Sequence, residues 1–437
     1  MKTEIVSVKG RQIWDSRGRP TVEAEVTLAG GAIGRGLAPA GASRGAHEAI
    51  DLRDGGHRFG GMGVDRAVAA VNGELAKALT GLDAADQDGA DRVIVDLDGT
   101  ANKARLGANA TVALSMAVLN AAAAAEGLPL WRYLSQGARV RVPLPEIQIF
   151  GGGAHAGRRT DVQDFMVMVP HADTVRKALE VTADVYRAAG ALMEETGRLS
   201  GTADEGGWWP NFSSNEEALV ALVQSIEKAG YRPGEDVYIS LDVAANELFH
   251  EGGYRLPLDN AQLDSAAIVE RVARWAREYP ILSIEDPVSQ DDMTGMTDAT
   301  RRLGDTVQII GDDFLVTNAG RVEIAAAQGA CNAVLVKVNQ AGTVSEAKRA
   351  LEAARAKGWS TIVSARSGET EDVTIAHLST GWDAGQLKVG SFARSERMAK
   401  WNELLRIEDA MGADAVFAGA SAFPAAVAAN LTRAKAA

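Results

Sequence analysis

The sequence predicts an α/β protein, with a parallel βα barrel over residues 139–437 behind a smaller α+β domain over residues 1–138. Three observations carry that prediction. Four apolar runs, at 237–241, 281–284, 307–311 and 332–336, each end abruptly in a charged residue, and continuous apolar runs of this length suit strands covered on both faces. Amphipathic helical patterns lie between them, with Ile268, Val272, Trp275 and Tyr279 on one face, and Thr343, Glu346 and Gly358 placed to start and stop another. The chain of 437 residues is also long enough for a barrel plus a smaller domain.

Taken in order, residues 1 to about 40 alternate as a short β meander, clearest at 21–26. A loop of small residues follows at 38–45, where Ser43 and Arg44 are the only side chains with chemistry to offer. Helical patterns cover about 63–79 and 107–126, the second built on alanine and able to pack closely. Beyond the domain boundary, glycines around His155 let backbone and imidazole approach a ligand, and a strand pattern at 161–168 carries Gln163 and Asp164. The loop at 203–211 holds two acids and the adjacent Trp208 and Trp209, which suit a pocket wall. The barrel pattern resumes at 360–365 and 386–390, and an alanine-rich helix ends the chain.

The charged residues that end the four runs are Asp242, Glu285, Asp312 and Lys337. In a βα barrel the carboxyl ends of the strands open onto one face, so these four should converge there. Three carboxylates gathered without cations repel one another, and a divalent metal between them resolves the conflict. A net charge of −13 argues against non-specific nucleic-acid binding. Cys331 is the only cysteine, which removes any intrachain disulfide and suits a reducing compartment. Charges in the first twenty residues break any apolar signal core, and the alanine-rich stretch is interrupted by Ser115 and Asn120, so a cytoplasmic protein without a membrane partner is expected.

Longer motifs go further. DSRGRPTVE at 15–23, EAIDLRDG at 48–55, DEGG at 204–207, SIEDP at 283–287, GDD at 311–313, KVNQ at 337–340, RSGETED at 366–372 and RSER at 394–397 together resemble the enolase family from end to end. The resemblance implies an N-terminal α+β domain on an enolase-type barrel of order ββαα(βα)6, in a homodimer or a larger assembly of dimers. Position by position, it puts the principal magnesium ligands on Asp242, Glu285 and Asp312, with Ser43 reaching a second magnesium when substrate binds. It makes Lys337 the general base and Glu205 the acid that assists departure of a hydroxyl. Lys388 would hold the substrate carboxylate, Arg366 and Ser367 the phosphate, and His155 and Asp164 would line the substrate site.

Several positions depart from the family pattern. Ala365 stands where a histidine is usual, Asp164 where a glutamate is, Arg44 where a threonine is, Phe150 where an asparagine is, and Trp208-Trp209 where an aromatic-alanine pair is. Arg158 and Arg159 add charge beyond His155. Changes gathered around the phosphate and leaving group suggest an altered ligand, and the chain resembles the carboxyphosphonoenolpyruvate synthases of phosphonate (phosphinothricin-type) biosynthesis. That likeness implies a small phosphorylated or phosphonylated carboxylate as substrate, with a nucleotide-activated phosphonate as a possible second ligand. The alternatives are a divergent phosphopyruvate hydratase and a non-catalytic enolase-like binding protein.

Overall fold

The computed structural model describes residues 1–42 and 44–436. The N-terminal meander is an antiparallel sheet of β1 (Ile5–Trp14), β2 (Pro20–Leu28) and β3 (Ile33–Leu37). The helix Ala108–Ala125 lies across β2 and β3. It can sit that close because strand glycines meet helix alanines: a Cβ on Gly34 would lie 2.1 Å from the Ala121 nitrogen, and one on Gly36 would lie 2.2 Å from the Ala113 carbonyl oxygen. Glycine is therefore required at both strand positions. This helix is the one among the described residues that is long and apolar enough to cross a membrane, and it is buried in the core.

Eight strands close the barrel: β4 (Leu144–Gly151), β5 (Asp164–Met168), β8 (Tyr238–Asp242), β12 (Ile281–Glu285), β13 (Gln308–Gly311), β14 (Ala333–Val336), β15 (Ser360–Ser364) and β16 (Gly385–Ser391). A hairpin of β6 (Leu199–Thr202) and β7 (Trp208–Pro210) extends from β4, and β9 (Phe249–His250), β10 (Gly253–Leu256) and β11 (Ala261–Leu263) form a separate small sheet. The barrel closes by parallel pairing of β16 with β4. Only β5 runs against its neighbours, pairing antiparallel with both β4 and β8. Two helices, Val175–Glu195 and Asn215–Lys228, then separate β5 from β8, which gives the ββαα(βα)6 order.

Because β5 is reversed, its first residue, Asp164, lies at the same end of the barrel as Asp242, its register partner. Gln163 and Asp164 are buried at that end. The four apolar runs are strands buried along their whole length. The helix starting after Thr343 is capped as its sequence implied: the Thr343 hydroxyl accepts from the Glu346 amide at 3.3 Å and donates to the Glu346 carboxylate at 2.7 Å. A helix at Gln87–Asp98 was not legible in the sequence.

Candidate active site

Asp242 and Glu285 end adjacent parallel strands and are register partners, so their carboxylates emerge side by side. Lys388, inward-facing on β16, reaches across the barrel to both, with Nζ 2.9 Å from Asp242 Oδ2 and 2.6 Å from Glu285 Oε2. It also stands 3.8 Å from Asp164 Oδ2. Burial works against its charge, but Asp242 and Glu285 prevail and hold the ammonium well above the ordinary lysine range. One ammonium does not balance the group. Burial, and then the charge of Asp242, still push the Glu285 carboxyl well up.

Asp312 follows β13 and Lys337 follows β14, and their side chains form a close ion pair. The second Asp312 oxygen accepts from Gln340 Nε2 at 2.9 Å. Thr317 ties this pair to the strand ends, since its hydroxyl accepts from the Lys337 amide at 2.9 Å and donates to Gln340 Oε1 at 2.7 Å. Asp286 braces the turn after β13 by accepting the amides of Asp312 at 2.9 Å and Asp313 at 2.7 Å. The oxygens of Asp286, Asp312 and Asp313 lie within 4.8 Å of one another. Both Asp286 oxygens are already committed to backbone, which makes that residue a support.

The opposite wall is built by His155, Asp164 and Glu205, whose ligand atoms also lie within 4.8 Å of one another. His155 Nδ1 is 3.4 Å from Asp164 Oδ1, and Nε2 is 3.8 Å from Glu205 Oε1. Burial pulls the imidazole pKa down, but the two carboxylates outweigh it and raise it to about 9. Glu205 sits on the turn between β6 and β7. That turn packs tightly: Gly206 has φ +93°, and a Cβ there would lie 2.5 Å from the Ala393 carbonyl oxygen. Gln148 fastens both parts of the wall, donating to Asp164 and accepting from the Gly207 amide at 2.9 Å.

After β15, Arg366 forms a forked ion pair with Glu48 of the N-terminal part of the chain, at 2.9 and 3.2 Å. Its segment is tied down by two buried cations of the following helix. Arg397 donates to the carbonyls of Arg366 (2.7 Å), Val389 (2.8 Å) and Ser367, while Lys400 donates to that of Thr370 at 2.5 Å and pairs with Glu369 at 3.0 Å. The Ser367 hydroxyl accepts from the Ala42 amide at 2.7 Å, which joins this wall to the 38–45 loop.

These walls line one small cavity, bordered among others by Lys337, Glu205, His155, Lys388, Arg366 and Ala365. Asp164, Asp242 and Ser367 line it too. Glu285 and Asp312 stand behind the lining as partners of the two lysines. Ser43 lies outside the described residues, and Arg44 is exposed and apart from the cavity.

Other residues singled out from sequence face elsewhere. Arg158 pairs with Glu247 at 3.0 Å, and Arg159 donates to Asn211 at 2.9 Å, both at the surface. Trp208 is no pocket wall: it stacks on Tyr186 with ring centroids 4.7 Å apart and donates to the Tyr186 carbonyl. Trp209 is half-buried, with its ring edge over Gly157. Phe150 packs edge-on against Phe212 in the core. Sequence reasoning missed Glu48, Glu146, Gln148 and Asp286 as parts of the site. Two of these, Glu48 and Asp286, sit inside motifs that the sequence offers, but only the fold shows where they point.

Residues 5–134 match the family model for the enolase N-terminal domain, and residues 139–426 match that for the enolase C-terminal TIM barrel domain. The chain belongs to the enolase family. Membership accounts for the reversed second barrel strand, and it makes the protein an enolase-superfamily enzyme in general terms.

Enolase-family proteins typically use magnesium, and the donor set here fits a hard cation. Among the described residues Glu285 Oε1 is buried with no hydrogen-bond partner, beside the register-paired Asp242 and with Asp312 close enough to disfavour its ionisation. An orphaned carboxylate oxygen among excess buried negative charge is what a divalent ion would satisfy.

Proposed function

We propose that the protein is a magnesium-dependent enzyme that removes the α-proton of a 2-phosphoglycerate-like carboxylate to give an enolpyruvyl product, acting as a carboxyphosphonoenolpyruvate synthase. The observation that supports this best is a single cavity lined by both Lys337 and Glu205, with Ala365 in its wall between Ser364 and Arg366. A lysine base working with magnesium is the general pattern of enolase-superfamily sites. Asp242, Glu285 and Asp312 would hold the principal ion, and Ser43 would reach a second one. Magnesium, when bound, supplies positive charge against the second negative charge that develops on the substrate carboxylate.

The chain's own residues do the rest. Lys337 accepts the α-proton at Nζ. Burial and the neighbouring Arg366 and Lys388 press it toward the neutral base, but Asp312 and Glu285 outweigh them and hold the ammonium above the ordinary lysine range, so a divalent cation drawing on those carboxylates would be needed to free Nζ for the proton. Lys388 holds the substrate carboxylate by its ammonium, and Arg366 and Ser367 orient the phosphate. Glu205 gives a proton to the departing oxygen, with His155 behind it as a cationic neighbour.

Ala365 leaves the wall short where the family pattern has a large polar side chain, and that space is offered to a second anionic ligand, phosphonate or nucleotide-activated phosphonate. A divergent phosphopyruvate hydratase is the second reading. It is favoured by the presence in one cavity of base, acid and carboxylate-binding lysine, with Asp164 buttressing His155. Steady-state assays with 2-phosphoglycerate alone, then with phosphonoformate or its nucleotidyl derivative added, separate the two. Slow turnover alone and turnover gained on addition are expected; full hydratase turnover unaffected by the addition refutes the synthase.

A further inference from the structure

Glu146 is a fully buried acid in the barrel interior, and the proton transfers above give it no part. On β4 it is the register partner of Lys388 across the closing seam of the barrel. Its Oε1 takes the Ser240 hydroxyl, and its Oε2 is buried with no partner among the described residues. Ser240 and Asp242 are alternate residues of one strand and share a face, so Glu146 lies one layer beneath the Asp242 carboxylate.

Lys388 meanwhile engages Asp242 Oδ2 and Glu285 Oε2. A divalent cation draws on those same carboxylates. Two cations crowded onto shared oxygens repel each other, so the ammonium has to yield some of those contacts. Asp164 Oδ2, already 3.8 Å from Nζ, lies to one side, and the unpartnered Glu146 Oε2 lies below.

We propose that Glu146 is a positioning residue: with Asp164 it gives the Lys388 ammonium a second seat, which frees Asp242 and Glu285 for a divalent cation and sets the lysine at the height where it meets substrate. The inference rests on the metal assignment made above. It assigns Glu146 no contact with metal or substrate, and its effect is transmitted through Lys388 alone.

That restriction makes it testable by calorimetric titration of the full chain with magnesium, without any turnover. Glu146→Gln keeps the shape and the Ser240 contact but offers a weaker seat. Magnesium binding should loosen about tenfold or more, the scale of one hydrogen bond to a charged group. Ser240→Ala releases Glu146 Oε1 as well and should tighten binding. In a Lys388→Met background neither change should matter, because no ammonium remains to be seated.

An unaltered magnesium affinity in Glu146→Gln overturns the proposal, and so does an equal loss in the presence and absence of Lys388. If Glu146→Gln does not fold, Ser240→Ala decides: unchanged affinity there overturns it. Failure of the metal assignment looks different. In that case the unaltered protein takes up no magnesium, or Asp312→Ala takes it up undiminished, and this inference falls with it.

Discussion

His155 should make the folded protein lose stability as pH rises from neutrality toward 9.5. Free histidine titrates near 6.5, whereas this imidazole, buried but set between Glu205 and Asp164, is raised to about 9. The folded state therefore keeps a proton that the unfolded chain has already released. A raised folded-state pKa contributes stability that is fully present below 6.5 and is lost as pH climbs through about 9. The whole contribution is roughly 3 kcal/mol at 1.36 kcal/mol per pH unit of displacement. For a chain of this length that corresponds to a fall of about 3 °C in melting temperature.

Melting curves of the unaltered protein and of His155→Asn, recorded in chelator from pH 6 to 9.5, provide the assay. Other titrating groups act in both proteins and cancel in the difference. The advantage of the unaltered protein should shrink by about that amount across the window. Two curves that stay parallel from pH 6 to 9.5 would show that the imidazole is not held protonated by its two carboxylates, and the electrostatic account of this wall would fail.

Three further outcomes are expected. Asp312→Ala should abolish magnesium uptake and turnover while the fold survives in circular dichroism; retained metal affinity would place the site elsewhere. Lys337→Ala should stop exchange of the substrate α-proton with deuterated water, and Glu205→Gln should keep some exchange yet lose product formation, so that exchange surviving in the lysine variant would move the base. Glu48→Gln should destabilise the protein by roughly 3 kcal/mol in denaturant titrations, because it leaves Arg366 buried beside a neutral partner; a change under about 0.5 kcal/mol, the size of an ordinary surface substitution, would mean that the forked pair contributes little.

The parts of the site legible in the sequence are those where a hydrophobic run stops at a charge. Asp242, Glu285, Asp312 and Lys337 were found that way because parallel barrel strands are apolar on both faces, and the change at the rim is abrupt. Asp164 broke that pattern. It begins a strand, and only the antiparallel course of β5 carries it to the rim, a reversal that apolar periodicity does not encode. Glu48 and Arg366 are 318 residues apart, so their pairing belongs to the tertiary fold. The helix at Gln87–Asp98 was masked by Gly89 and by acids at four positions, Asp88, Asp91, Asp96 and Asp98, of which two are buried. Side-chain direction was the other gap. Trp208 and Arg158 lie beside the right loops and point away from the cavity, and adjacency in sequence gives no sign of which way a side chain turns.

The buried Arg397 and Lys400 carry a lesson about synthesis. Every described side chain that lines the cavity precedes residue 390, so a ribosome that has just completed β16 has already delivered the chemical parts list. The carbonyls of Arg366 and Thr370 at that moment have none of the donors that hold them in the finished protein, and that of Ser367 has only the Ser16 hydroxyl, since the others arrive with the helix Ser395–Met411. A nascent chain thus owns every described lining side chain before it owns the finished pocket, and the wall around Arg366 and Ser367 is among the last features of the molecule to set.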